Sequence, residues 1–330
     1  MSVLVEAPSA SVVVPSFARP ELLGCCLRAL DRQSHPPLEV IVVGRTGDER
    51  TAGAVAAARA ATGLGLEFLH TSAPGHLPPL AAGVAATRGD VVAFLDDDAE
   101  PWPDWLGALL RHYRDPIVGG VGGLVSESAN GARSVSREVL TIGRLGRFDR
   151  LGSTSIPERW GARRVHALRG TNMSFRAALL REYRWDARLN GGAATDYEID
   201  LCHWIAARGY ELVYDPDAIV DHHTADRPEL GRDWTPEAVE SYSHNLVYVS
   251  GKTLGTPRAA FALGHAFLVG NRASYGVLTA AVDALRPSAR TAVSTRLVPS
   301  FRGKVAGVRS LWAYARRGPL ALDDEPPRTD

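Results

Sequence analysis

The sequence predicts an α/β fold in which a mixed, mostly parallel sheet is flanked by helices and followed by a mainly helical C-terminal extension. Three observations carry this expectation. Short β-branched runs alternate with helix-period segments over the first hundred residues, the pattern of strands joined by crossover helices. The runs at 11–15 (SVVVP), 38–43 (LEVIVV) and 91–95 (VVAFL) are apolar without alternation, as strands covered on both faces are. The third run ends in Asp96, Asp97 and Asp98, and the carboxyl ends of parallel strands are where such sheets bind ligands.

Each element follows from its local chemistry. Residues 11–15 form a strand ended by proline, which cannot extend a central ladder. A helix begins near Pro20 and Glu21, because proline suits the first helical turn and glutamate suits its dipole. Leu22, Leu23, Cys26, Leu27 and Leu30 then recur at helical spacing. Residues 38–43 give a second strand, 52–61 an alanine-rich helix, 66–69 a short strand and 79–87 a small-residue helix before the acid-tipped strand. Gly119, Gly120, Gly122 and Gly123 form no phosphate-binding Gly-x-Gly-x-x-Gly turn and read as a strand pressed against neighbouring backbone. Residues 126–165 are polar, rich in arginine and glycine and without clear period, which predicts a long surface excursion. A helix over 177–183 follows, then a flexible approach from Gly191 to Ala194. Residues 201–208 read as a helix stopped by Gly209, and 211–214 as a strand closed by Asp215-Pro216. Ile219-Val220 leads into Asp221, His222 and His223. Helical patterns come next, and the polar, proline-rich stretch from Pro319 is expected to be disordered.

Composition narrows the class. The chain has 330 residues, is 45% hydrophobic and carries 37 basic and 37 acidic residues. That suits a globular protein with a sizeable core, and the zero net charge argues against nucleic acid as a partner. Cys25, Cys26 and Cys202 make a poor disulfide framework and lack zinc-ligand spacing; buried thiols in a reducing cytoplasm are the expectation. The start MSVLVEAPSASVVVP lacks a basic end followed by an apolar stretch, so no signal peptide is expected. The most apolar late segment, 259–285, is interrupted by His265, Arg272 and Asp283, which speaks against a transmembrane span. No serine elbow, His-Glu-x-x-His or Walker loop occurs.

Three constellations could carry chemistry. Asp96, Asp97 and Asp98 offer hard oxygen ligands, suited to Mg²⁺ or Mn²⁺ holding a diphosphate; a solvated acidic loop is the plainer alternative. Asp196, Glu198 and Asp200 surround a strand-to-helix junction, where one could act as general base, one as helix cap and one as a solvated residue. His222 or His223, after a strand and beside Asp221, could ligate a metal.

In this order the pieces resemble the inverting nucleotide-sugar glycosyltransferases of family 2, with the Rossmann-like GT-A fold. The residues that carry the resemblance are SVVVPSFARPELLGCCLRALDRQSHPPLEVIVV at 11–43, VVAFLDDDAEPWPDWL at 91–106, RGTNMSFR at 169–176 and DYEIDLCHWIAARGYELVYDPDAIVDHH at 196–223. The resemblance implies that Asp96 and Asp98, with Asp97 between them, form the Asp-x-Asp that holds metal and donor diphosphate. It implies that Pro15, Ser16 and Arg19 line the nucleotide pocket, that Glu198 is the catalytic base with Asp196 as the alternative, and that His222 completes the metal site. It also implies a domain over 1–225, with nucleotide-binding (1–125) and acceptor or catalytic (126–225) parts. A helical extension over 226–318 and a tail over 319–330 follow. Expected partners are a UDP-, GDP- or dTDP-sugar donor and an acceptor hydroxyl on a glycan, a lipid-linked intermediate or a small molecule.

The sequence departs from the family pattern where an aspartate after the second strand usually meets the nucleobase. Here Gly44-Arg45-Thr46-Gly47-Asp48 stands, so Arg45 or Asp48 is expected to take that part. Two rival readings fit the sequence less well. A sugar nucleotidyltransferase would carry a glycine-rich basic loop after the first strand, which residues 15–20 lack. A non-catalytic glycan-binding relative would not be expected to keep Asp96, Asp98, Glu198 and His222 together. Finally, Arg286, Arg290, Arg296, Arg302, Lys304, Arg309, Arg316 and Arg317 follow one another without an acid. They predict either a solvated basic face or a peripheral contact with an anionic membrane, or with a lipid-phosphate acceptor, on the cytoplasmic side.

Overall fold

Residues that alternate along the central strands feed two separate cores, one on each face of the sheet. The computed structural model describes residues 8–129, 132–136, 138–141, 152–155, 161–191, 196–223, 235–322 and 328–329. Its first half runs β1 (Ala10–Pro15), α1 (Pro20–Asp31), β2 (Glu39–Arg45), α2 (Glu49–Ala61), β3 (Leu66–Thr71), α3 (Leu77–Ala86) and β4 (Val91–Leu95). Strand β1 pairs in parallel with both β2 and β4, and β2 in parallel with β3. Val12, Val14, Val40 and Val42 pack with Leu23, Leu27 and Leu30 of α1. Val13, Ile41, Val43 and Phe94 face the other way, onto Leu77, Leu80 and Val84 of α3. Uniformly apolar strands are what a sheet buried on both sides requires.

The chain continues through β5 (Ala99–Pro101), α4 (Trp105–Leu110), β6 (Val118–Ala129), β7 (Ala132–Ser136), β8 (Glu138–Thr141), β9 (Gly152–Ser155), β10 (Arg163–Val165), β11 (Asn172–Arg176), α5 (Ala177–Glu182), α6 (Tyr197–Ala206) and β12 (Glu211–His223). It closes with α7 (Pro236–Thr253), α8 (Thr256–Leu268), α9 (Val277–Ala284), α10 (Arg290–Arg317) and β13 (Arg328–Thr329). The main sheet has the order β10-β12-β6-β11-β4-β1-β2-β3-β13. Strand β11 lies antiparallel between β4 and β6, while β12 is parallel to β6. The glycine cluster lies in β6 as a strand against close neighbours: a Cβ on Gly120 would strike Phe175, and one on Gly123 would strike the carbonyl of Ala218.

Several local expectations are corrected. The excursion expected over 126–165 carries secondary structure: β6 extends to Ala129 and turns into β7, and β8 pairs with β9. Within that segment, 130–131, 137, 142–151 and 156–160 lie outside the described residues, as does the part of the expected flexible approach from 192 to 194. Strand β12 does not stop at Asp215-Pro216. Its register shifts between Asp215 and Ile219 and pairing then resumes, a bulge that places the proline where no ladder donor is needed. The bulge is fixed by Asp215, whose buried carboxylate accepts from Arg111 and contacts His112. Helix α6 starts at Tyr197, four residues before the expected helix. The tail expected to be disordered begins with contacts to the body: the Leu320 amide donates to Asp186 at 3.2 Å and its carbonyl accepts from Ala187 at 2.8 Å.

The C-terminal helices are part of this body. Tyr248 and Val249 of α7 lie in the same core as Leu201 and Cys202 of α6. Lys252 Nζ sits 2.8 Å from Asp200 and 3.4 Å from Asp186, so α7 is clamped to α6 and to the segment before it. Helix α10 crosses α7 closely, because side chains at Gly303 and Gly307 would strike the carbonyls of Glu240 and His244. Lys304, counted above with the basic surface, is instead fully buried and donates to the Tyr275 carbonyl.

Candidate active site

The acidic triplet occupies the turn between β4 and β5, and β5 folds back antiparallel onto β12 so that Ala99 faces His222 and Glu100 faces Asp221. The His223 amide donates to the Asp98 carbonyl at 2.8 Å and locks this corner. The result brings Asp96, Asp98 and His222 together, with one ligand atom from each lying within 4.8 Å of the others. His222 Nε2 is 3.1 Å from Asp98 Oδ1 and 4.0 Å from Asp96 Oδ2. Both ring nitrogens of His222 are buried and make no hydrogen bond. Buried polar atoms are nearly always satisfied, so an imidazole in this state beside two carboxylates fits a divalent cation. Oxygen and imidazole donors suit Mn²⁺ or Mg²⁺.

The three aspartates differ in what they do. Asp96 is the most open, 25% exposed against 1% or less for the other two side chains, and accepts from Thr171 Oγ1 at 3.0 Å. Asp97 points away from the histidine. It accepts from Ser16 Oγ at 2.8 Å and pairs with Arg19 at 3.0 Å, while Arg19 also reaches Asp98 at 2.9 Å. Burial pushes the Asp97 carboxyl up to about 7 against the opposing pull of Arg19 and Ser16. Ser16 and Arg19 thus lie beside the acidic group, and Asp97 ties the loop after β1 to that corner. Pro15 ends β1 just ahead of them.

The two residues expected to read the nucleobase have separate partners. Asp48 caps α2 by accepting from the Thr51 amide and hydroxyl, and it also accepts from the Ala18 amide at 2.7 Å. Burial would raise its pKa, but these hydrogen bonds outweigh it and the net shift is downward. Ala18 stands at φ 57°, in the left-handed region where side chains are disfavoured, and Asp48 is what holds it there. Arg45, exposed at the end of β2, lies 4.2 Å above the ring of Phe17. Phe17 and Thr171 were missed in the sequence, although both lie inside the blocks that carry the family resemblance.

The second acidic group lies in the first turn of α6. Asp196 precedes the helix at φ 69° and Glu198 is its second residue. One Asp196 carboxylate oxygen is buried without a hydrogen-bond partner, and burial pushes this acid up to about 7. Glu198 is pushed up to about 8, first by burial and then by the charge of Asp196, with Asp96 adding to it and Arg169 opposing. Two neighbouring acids raised toward neutral are candidates for proton transfer. Asp200 is different: it accepts from Tyr183 at 2.8 Å and pairs with Lys252, so it anchors the helix and does not cap it. His223 pairs with Glu100 at 3.0 Å, outside the metal-capable group.

This sheet order, with acids at the carboxyl end of β4 and a raised acid pair at the start of α6, is the GT-A arrangement. The chain matches the family described as glycosyltransferase like family 2 over residues 8–233, and it belongs to that family. It is similar to the pre-mycofactocin glycosyltransferase of Mycobacterium tuberculosis, 30% identical over 181 residues that cover 51% of this chain and 34% of that protein. An N-acetylglucosaminyltransferase of Rhizobium meliloti is 29% identical over 224 residues, 64% of this chain and 50% of that protein. The chain therefore spans about a third to a half of the length of these relatives. Among solved structures, a mannosyltransferase from Pyrobaculum calidifontis in complex with GDP-Man and Mn²⁺ aligns with a TM-score of 0.55 at 18% identity, over 93% of this chain and 88% of that one. TarS of S. aureus aligns with a TM-score of 0.54 at 15% identity, over 94% and 53%. At these identities the likeness establishes the fold.

Proposed function

We propose that this protein is a glycosyltransferase that moves a sugar from a nucleoside-diphosphate sugar to an acceptor hydroxyl with inversion at the anomeric carbon. The observation that carries the reading is the meeting of two constellations: the Asp96–Asp98–His222 group at the strand end and the raised acids Asp196 and Glu198, of which Glu198 feels the charge of Asp96. Asp96, Asp98 and His222 would hold the cation, and Mg²⁺ or Mn²⁺ bound there would neutralise a departing diphosphate. Ser16 and Arg19 place a hydroxyl and a guanidinium beside that position, and Arg45 stacked on Phe17 offers a cationic, aromatic platform for a nucleobase. Glu198 takes the acceptor proton as the acceptor oxygen bonds to the anomeric carbon and the carbon–diphosphate bond breaks. A single displacement needs no covalent enzyme intermediate. Support also comes from the solved neighbours that hold GDP-Man with Mn²⁺, or UDP and GalNAc with Mn²⁺.

Thermal shifts measured for a panel of UDP-, GDP- and dTDP-sugars, each with and without Mn²⁺, test the donor reading. At least one nucleotide sugar should stabilise the protein only when the cation is present. Stabilisation by none of them would overturn the proposal. With a reacting donor in hand, NMR of the product should show the inverted anomer; a retained anomer would reject the single displacement.

A further inference from the structure

Helix α10 presents two chemically distinct stripes. One is buried, with Gly303 and Gly307 against α7 and Ser300 and Lys304 hydrogen-bonded to the Tyr275 backbone. Beside it, at spacings of three and four residues, run Val298, Arg302, Val305, Arg309, Trp312 and Arg316, and every one is exposed. Apolar and basic side chains alternate along this second stripe, and the Arg316 guanidinium lies 4.4 Å over the Trp312 ring. Trp312 is 65% exposed, which is unusual for the largest apolar side chain. Helix α9 stands alongside with Val277, Leu278, Val282 and Leu285 turned to solvent. Between the two helices lies an open groove of about 890 Å³ whose lining is mainly apolar and includes Leu297, Phe301, Arg302 and Arg309.

The charge on this face is mainly of one sign: the only acid in the groove lining is the half-buried Glu240 of α7, against Arg302 and Arg309. Helix α10 contains no acid, and Asp283, the acid of α9, is buried beneath Arg272 at 3.2 Å and Arg286 at 3.1 Å. A helix face that meets only water usually mixes charges and carries few large apolar groups. A two-fold contact with a second copy would set like arginines near one another. We infer that the α9–α10 face docks on an anionic lipid bilayer, with both helices lying in the interface. The valines, Leu285 and Trp312 enter the headgroup–acyl boundary while the arginines meet lipid phosphates. No helix among the described residues is long and apolar enough to cross a membrane, so the attachment is to one leaflet. Because α10 packs on α7 and α7 is clamped to α6, the attachment fixes the raised acids at a set height above the lipid.

The test is flotation of the full chain with vesicles of phosphatidylcholine alone or of phosphatidylcholine with phosphatidylglycerol. The protein should float with the phosphatidylglycerol vesicles and be released by raised salt. Arg302→Gln with Arg309→Gln should weaken that partitioning by about 30-fold. Trp312→Ser with Leu285→Ser should abolish it, and thermal melting unchanged from the parent would show that these exposed sites leave the fold intact. Equal flotation with both vesicle types, or none, would overturn the inference. So would flotation that requires a polyprenyl phosphate in the vesicle, which would point to an acceptor at the transfer site. A concentration-dependent dimer that buries Trp312 in the absence of lipid would overturn it too. The readout is binding, so it stands or falls separately from sugar transfer.

Discussion

At position 198 the protein holds an acid where ionisation is opposed by burial and by Asp196. That cost has a use if the carboxylate must take a proton from a hydroxyl near neutral pH. Glu198→Gln should keep nucleotide-diphosphate affinity, measured calorimetrically with Mn²⁺, and should lower turnover by roughly 10² to 10⁴, the usual worth of general-base catalysis. Normal turnover in that variant, with collapse in Asp196→Asn, would assign the base to Asp196. His222→Ala should weaken Mn²⁺ binding by about 10-fold or more, since loss of one donor from a three-residue site removes a bond that water replaces poorly; unchanged Mn²⁺ affinity by titration would exclude the imidazole as a ligand. The acids and the histidine were legible in the sequence because each follows a recognisable strand or precedes a helix-period run. The division of labour inside the triplet was not. That Asp97 turns toward Ser16 and Arg19 depends on the β4–β5 turn, which no periodicity reveals.

Among the elements, the helix that carries Glu198 owes its place to α7. Lys252 sits between two buried carboxylates, Asp186 and Asp200. Lys252→Ala would leave both without their shared cation, and breaking one side of a buried ion pair costs roughly 3–5 kcal/mol. About 3 kcal/mol is expected here, because Arg188, Tyr183 and Tyr248 still contact the acids; urea unfolding measures it, and a loss below the error of the method would show that the clamp is incidental. The central strands were readable, since uniform apolar runs leave few alternatives. The extension of β6 and β12 was hidden for opposite reasons. β6 is glycine-rich and loses its apolar signature past Val125, while β12 contains a proline that a bulge absorbs. Motif reasoning placed Asp48 after β2 as a candidate for base recognition but could not show its structural work, which is to accept from three donors on Ala18 and Thr51.

For the whole molecule, the raised acids make stability depend on pH in a predictable direction. Asp196 and Glu198 sit at about 7 and about 8 in the fold, above their usual values near 4. The native state therefore keeps protons that the unfolded chain has released, and the stability they contribute is complete below about pH 4 and lost as pH rises through about 8. In chelator, the melting temperature of Glu198→Gln should gain on the parent as pH is raised across that window; parallel curves would show that the two acids are not held protonated. The clamp between α6 and α7 limits how this chain can be divided. The family match stops at residue 233, ahead of Lys252, Tyr248 and Val249, which complete the core around α6. The segment that the family match covers and the unit that folds are thus of different lengths. A chain cut at residue 233 would keep every residue assigned to chemistry, yet it would bare the flank of α6 and strand Asp186 and Asp200. It should be recovered aggregated or with a disordered α6, as amide hydrogen exchange would show. Recombining such segments between relatives should succeed only when the helices beyond the family boundary travel with them.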